Sequence, residues 1–199
     1  MKPLLCVLYL LLSTPLLAQN NPIANPKSVV SDEEVRFTVL TEQVIRMEWQ
    51  ANGKFNDDAS FVFINRNLPS PDFKVAKTKK WLTITTDKLT LRYRRGSGSF
   101  NRDNLSISLR LNEEEVKWHP GMEDDQNLLG TARTLDGATG GKQWNGEPVA
   151  LENGIISRNG WALIDDTGNF LLDDTEWSWV KERAQGEHQD FYFFGWARL

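Results

Sequence analysis

From Val35 onward, apolar and polar residues alternate with a period of two along most of the chain. Val35, Phe37 and Val39 share one face with Arg36 and Thr38 between them, and 43–50 (QVIRMEWQ) repeats the pattern after a turn at Thr41 and Glu42. Half-buried strands read this way, because successive side chains point to opposite faces. A further short strand is expected at 61–64 (FVFI), ended by the prolines of 65–71. The clearest pair is 80–86 (KWLTITT) and 88–95 (KLTLRYRR), divided at Asp87. Leu82 and Ile84 face one way in the first, and Leu89, Leu91 and Tyr93 face one way in the second, which predicts a hairpin. After the flexible tip 96–99 (GSGS), 105–111 (LSISLRL) and 115–119 (EVKWH) continue the series across the acidic turn 112–114. Further on, 161–164 and 169–172 flank the turn 165–168 (DDTG) as a second hairpin, and 190–195 (DFYFFG) is a final, very apolar strand.

No stretch carries an apolar i, i+3, i+4, i+7 stripe over three turns, and 176–185 is the best helical candidate. About a dozen short strands with polar turns between them predict an all-β fold, an antiparallel β-sandwich.

The long segment 127–169 breaks this rhythm. It is rich in glycine and turn residues, and it holds Trp144, Trp161 and the polar cluster Ser157, Arg158 and Asn159. Loops of this length in compact domains carry function or are disordered. The tryptophans and the apolar Leu151, Ile155 and Ile156 predict an ordered loop, 127–160, held by the strands against something larger.

The N-terminus adds a location. Lys2, the apolar run 4–12 (LLCVLYLLL) and the small Ala18 make 1–18 a secretory signal, cleaved before Gln19. The run is too short to span a bilayer, which takes roughly 20 residues. The expected mature chain is exported, periplasmic or extracellular, with no membrane segment. The single cysteine, Cys6, leaves with the signal, so the domain has no disulfide and depends on its core. The proline-punctuated 19–28 is an extended lead-in, 29–195 the sandwich, and 196–199 the start of a linker, because an apolar strand followed by a few new residues reads as a cut edge. The formal charge is −4, or −5 without Lys2, which argues against nucleic acid or an anionic membrane as partner. Eight Trp and ten Phe suit either a sandwich core or a sugar-binding surface.

Candidate chemistry is sparse. Four acidic pairs occur, Asp57 with Asp58, Asp124 with Asp125, Asp165 with Asp166 and Asp173 with Asp174. Glycoside hydrolysis needs two carboxylates flanking one bond, roughly 5 to 9.5 Å apart. Neighbours on a strand point to opposite faces, and all four pairs sit beside turn residues, so they read as turn caps. The histidines, His119 and His188, are isolated, and neither DDTGN nor LDGATGG offers the alternate ligands of a calcium loop, so no metal and no cofactor is expected. The run 137–142 (GATGGK) fails as a phosphate loop: the spacing is one residue short, and Gln143 follows the lysine. Ser157 has no G-x-S-x-G frame. The remaining candidate is the tip 156–161 (ISRNGW), where an arginine beside an amide can hydrogen-bond sugar hydroxyls or anchor the loop.

The order NLLGT (127–131), RTLD (133–136), LENG (151–154), SRNGW (157–161) and DFYFFG (190–195) resembles glycoside hydrolase family 31, and more narrowly the N-terminal sandwich of exported bacterial α-glucosidase-like or α-xylosidase-like members. The resemblance covers most of 29–199. It implies a galactose-mutarotase-like sandwich before a (β/α)8 barrel in the same full-length chain. Both catalytic aspartates lie in that barrel, so no catalytic residue is expected here. It also implies that Ser157, Arg158 and Asn159 form the tip of a loop bordering the active-site pocket. An aspartate often stands where Asn159 does, and Asn159 keeps the hydrogen-bonding ability without the charge. Arg133 and Asp136 are further substrate-binding candidates. The implied partner is an α-linked oligosaccharide, with Trp144 and Trp196 at the barrel interface. Two alternatives stand beside this: a free-standing secreted carbohydrate-binding sandwich using Trp144, Trp161 or Trp177 as a stacking platform, and a mutarotase-like epimerase, disfavoured because that chemistry typically uses histidines with a carboxylate and only His119 and His188 exist.

Overall fold

The computed structural model describes residues 21–111, 114–130, 142, 145–149, 151–175 and 179–196. Two five-stranded antiparallel sheets face each other. The first contains β1 (Val29–Asp32), β2 (Val35–Thr41), β3 (Val44–Gln50), β9 (Trp161–Asp165) and β12 (His188–Gly195), in the order β1-β2-β3-β12-β9. The second is a meander of β4 (Lys74–Lys77), β5 (Trp81–Thr85), β6 (Leu89–Arg94), β7 (Leu105–Leu111) and β8 (Glu114–Trp118). A two-stranded ribbon of β10 (Leu171–Leu172) and β11 (Val180–Lys181) pairs with neither. Among the described residues no α-helix occurs, and the one helical turn is a 3-10 turn at Pro26–Ser28.

The alternation predicts the core. Val35, Phe37 and Val39 from β2, Ile45 and Met47 from β3, and Phe191 and Phe193 from β12 face Leu82, Ile84, Leu91, Tyr93, Ile107 and Leu109 of the second sheet. Rings join the layers: Phe37 lies 5.8 Å from Tyr93, and Trp118 lies 5.3 Å from Phe193 and 6.4 Å from Trp161. Aromatic pairs at these separations add about 0.5–1.5 kcal/mol each beyond their burial.

The other face of the first sheet differs from the expected polar one. Arg36, Thr38, Arg46, Glu48, Asp190 and Tyr192 point away from the core, yet all are buried. Residues 55–66 and the β10–β11 ribbon cover them, with the Phe63 ring stacked 3.5 Å above Tyr192. The charges are neutralised by geometry. Arg46 grips Asp190 through Nε and Nη2, both at 2.8 Å, and its Nη2 lies 3.1 Å from Glu48. Arg36 grips Glu48 at 2.6 and 2.8 Å and reaches Asp57 at 2.8 Å, while Arg183 joins Asp166 at 2.9 Å to Asp190 at 3.2 Å. Arg66 donates to the carbonyls of Pro22, Asp57 and Asp58 and to the Tyr192 hydroxyl, tying the cover to the sheet.

Three expectations need correction. Segment 61–64 is not a strand: Ser60 bridges Leu171, Phe63 is drawn onto Tyr192, and Phe61, Val62 and Ile64 face solvent. Residues 161–164 and 169–172 do not pair as a hairpin. The turn forms, with Thr167 N donating to Asp165 Oδ1 at 2.9 Å, but β9 pairs with β12 while β10 pairs with β11. The described part of 176–185 is extended rather than helical, since Val180 and Lys181 form β11.

Candidate functional site

The described arms of the long loop, 124–130 and 151–160, close on each other as an irregular antiparallel ribbon. Leu128 N donates to Ile156 O at 3.0 Å, Arg158 N to Gln126 O at 3.0 Å and Gly130 N to Glu152 O at 2.7 Å. Asn127 is the clasp. Its Oδ1 accepts from Leu129 N and Gly154 N, both at 2.8 Å, and its Nδ2 donates to Gly154 O and Asp124 Oδ2. The fit is close. A Cβ on Gly154 would lie 2.7 Å from the Leu129 carbonyl oxygen, and Leu129 itself adopts a left-handed φ of 62°. That conformation costs a branched residue about 1–2 kcal/mol and is held by its surroundings.

Beyond the clasp, the chain turns into β9. Ser157 is fully buried and donates its hydroxyl to Asp124 Oδ1 at 2.6 Å, and its Oγ accepts from Asn159 N at 3.0 Å. Gly160, at φ 78°, makes the left-handed step before Trp161. Trp196, just after β12, donates its backbone N–H to Gly160 O at 3.0 Å and its indole Nε1 to Ser157 O at 3.2 Å. Trp196 is therefore half-buried and engaged with the loop.

The predicted site residues fall into two groups. Arg158 and Asn159 stand side by side at the tip. Arg158 is exposed, and among the described residues its guanidinium has no hydrogen-bond or ion-pair partner. The Asn159 amide nitrogen donates to Asp124 Oδ1 at 2.9 Å and to Asp125 Oδ1 at 3.0 Å. Arg133 and Asp136, with Trp144 and Trp177, lie outside the described residues. Trp161 is buried against Trp118, so it offers no stacking platform, and among the described residues its Nε1 is a buried donor without a partner.

An open cleft of about 940 Å³ runs beside the loop along β9, lined by Met122, Asp124, Asn127, Ile155, Trp161 and Leu163 among others. None of the residues lining this cleft is Lys or Arg. Among the described residues, no group of His, Cys, Asp and Glu is arranged to hold a metal ion, and no helix is long and apolar enough to cross a membrane.

Asp124 escapes local sequence reasoning. Beside Asp125 and Gln126 it reads as a turn carboxylate, whereas its partners lie 33 and 35 residues downstream. The other densely charged cluster, under the cover of the first sheet, is saturated. Burial raises the Asp166 carboxyl above its ordinary value despite help from Asn169 and Ser60. At Asp190 the upward push of burial is overcome by the hydrogen bond and charge of Arg46, with Arg183 adding to it, and the net direction is down. Carboxylates held by arginines in this way are structural.

No family model matches the chain, and no curated protein matches it. Among solved structures it is similar to the GH31 (glycoside hydrolase family 31) α-xylosidase from Xanthomonas citri, at 16% identity and a TM-score of 0.32. The match covers 83% of this chain and 14% of that one, so the chain spans a small part of that protein's length.

Proposed function

We propose that this chain is a non-catalytic β-sandwich domain of an exported retaining α-glycosidase, in which loop 127–160 borders the sugar-binding pocket of a catalytic barrel. The signal at 1–18, the lead-in 19–28, the sandwich 29–195 and the linker from 196 divide the chain on this reading, and the protein works in the periplasm or outside the cell. One observation carries it: a charged donor, Arg158, stands without a partner among the described residues, on a backbone clamped from both sides. Side chains prepared for a ligand look like this, since holding the backbone lowers the ordering cost of binding. The motif order LENG–SRNGW–DFYFFG supports the reading, and the exposed Phe61, Phe170 and Trp179 supply apolar surface for the barrel's flank. In the parent enzyme the barrel's aspartates form and hydrolyse the covalent glycosyl intermediate, while this domain orients the sugar and excludes water.

The test is hydrolysis of aryl α-glucosides and α-xylosides by the full-length protein and by its Arg158→Ala variant. The full-length protein should turn over, and the variant should raise KM or lower kcat while its melting temperature stays put. An unchanged kcat/KM would reduce the loop to a structural role. The other reading is a free-standing sugar-binding module, and the exposure of Trp179, at 72%, favours it. Saturable quenching of tryptophan fluorescence by malto- or xylogluco-oligosaccharides in the isolated chain, lost in Trp179→Ala, would promote that reading over the first.

A further inference from the structure

Asp124 is the centre of the loop's hydrogen bonding. Its Oδ1 accepts from the Ser157 hydroxyl at 2.6 Å and from Asn159 Nδ2 at 2.9 Å, and its Oδ2 accepts from Asn127 Nδ2 at 2.8 Å. These donors come from both arms of the loop. An ionised carboxylate only accepts, and it accepts at both oxygens. No uncharged side chain of the same shape does so: an asparagine would turn its own N–H₂ toward either Asn127 or Asn159.

The same contacts fix what the tip offers a ligand. Asp125 Oδ1 lies 3.0 Å from Asn159 Nδ2, so both amide protons of Asn159 are held by carboxylates. The orientation of that amide follows from chemistry, because an amide oxygen facing two carboxylate oxygens would be repelled. The Asn159 carbonyl oxygen is thereby turned away from Asp124 and Asp125. Among the described residues it has no hydrogen-bond partner, and it stands next in sequence to the unpartnered Arg158 guanidinium.

We propose that Asp124, helped by Asp125, is the positioning residue of this site: it makes Asn159 a pure, uncharged acceptor beside the pure donor Arg158. Resting on the sugar-facing reading above, this narrows the ligand. A donor fork next to a neutral acceptor suits adjacent hydroxyls of a neutral sugar, one accepting from Arg158 and one donating to Asn159. A uronate or sulfated sugar satisfies Arg158 but meets lone pairs at Asn159 and carboxylates behind it.

The experiment compares Asp124→Asn, Asn159→Asp and the exchange Asp124→Asn/Asn159→Asp in the full-length protein, by kcat and KM on a neutral aryl α-glycoside. Asp124→Asn sets two donors face to face, and Asn159→Asp sets a third carboxylate about 3 Å from two others. Each single change should lower kcat/KM about tenfold or more, the size expected when a hydrogen bond to a charged group is broken. In the exchange, the new amide at position 124 turns its carbonyl to Asn127 and its N–H₂ to the new carboxylate at position 159. The new carboxylate still faces Asp125, so kcat/KM should recover in part, to at least about threefold above the weaker single variant. A purely structural Asp124 lowers the melting temperature without rescue by the exchange, and that result overturns the proposal. So does a kcat/KM unmoved by either single change. If Arg158→Ala is also silent, the sugar-facing reading itself falls; if Arg158→Ala is impaired while the Asp124 variants are not, only the positioning role falls.

Discussion

Replacing Arg46 by methionine tests whether the outer face of the first sheet is held by its ions. Arg46 is 2% exposed, and it faces Asp190 and Glu48, themselves at 1% and 2%. Methionine keeps the length of the stem over Tyr192, where the guanidinium carbon sits 5.4 Å from the ring centre. It removes the charge that holds both carboxylates. Breaking a buried ion pair from one side costs about 3–5 kcal/mol, because the partner's charge stays buried. Two arginines remain, Arg36 on Glu48 and Arg183 on Asp190, so the lower end applies. At about 2–4 °C per kcal/mol for a chain of this size, the melting temperature should fall by roughly 6–12 °C. Thermal unfolding followed by far-ultraviolet circular dichroism measures it directly. Arg46→Met combined with Asp190→Asn supplies the control: once the stranded charge is gone, the double variant should melt above Arg46→Met alone. A shift under about 2 °C for the single change, or a double variant no better than it, would mean that these ions do not hold the outer face.

Asp32 on β1 is gripped by Arg95 Nε at 2.6 Å and Nη2 at 3.0 Å, which joins the two sheets at one edge. The Arg95 hydrogen bond, opposed by partial burial and aided by Lys77, holds the Asp32 carboxyl below its ordinary 3.8. A depressed value means that the bridge stabilises the fold above pH 3.8 and loses that contribution as pH falls through the lower folded value; Asp32→Asn should flatten the acid limb of melting temperature against pH there. Gly195→Ala on β12 drives a methyl to within 2.5 Å of Leu109 Cδ1 in the opposite sheet, and urea unfolding should show a loss of about 1–3 kcal/mol. Gly154→Ala meets backbone rather than a side chain, so it should open the Asn127 clasp and raise proteolysis within 124–160, while the melting temperature of the sandwich changes little.

The strands with strict alternation are legible because burial on one face leaves a period of two along the chain. This covers β5 to β8; β2 and β3 alternate apolar with polar residues although both of their faces are buried, and β12 reads as a strand from its continuous apolar run, 191–194. Strand β4 (KVAK) carries no such signal, since all four of its residues are exposed at a sheet edge. The outer face of the first sheet is hidden for a related reason. Arg36, Arg46 and Glu48 look solvent-facing in sequence, and Asp190, which completes their neutralisation, lies 144 residues beyond Arg46. The acidic pairs divide the same way. Asp165 and Asp173 do cap their turns, with bonds to Thr167 N and Thr175 N, whereas Asp57, Asp58 and Asp166 meet cations from other segments. At the loop, sequence singles out Arg158 and Asn159 but not Asp124, because nothing local distinguishes a carboxylate that caps its own turn from one that gathers distant donors.

The place of β12 between β3 and β9 sets an order of assembly. The second sheet is a sequential meander whose pairings are local, and it can close as soon as β8 has left the ribosome. The first sheet cannot. Until β12 is synthesised, β1, β2 and β3 remain one fragment and β9 another, and β3, with Ile45, Met47 and Trp49 on its inner face, has no neighbour on that side. Closing it means searching across nearly the whole domain, and such long-range pairing is slow because the entropy of the intervening chain is lost before the contacts form. Docking of β12 is therefore the expected slow step in folding the sandwich. The interval before β12 docks is when the chain is most exposed to association through its own open edge.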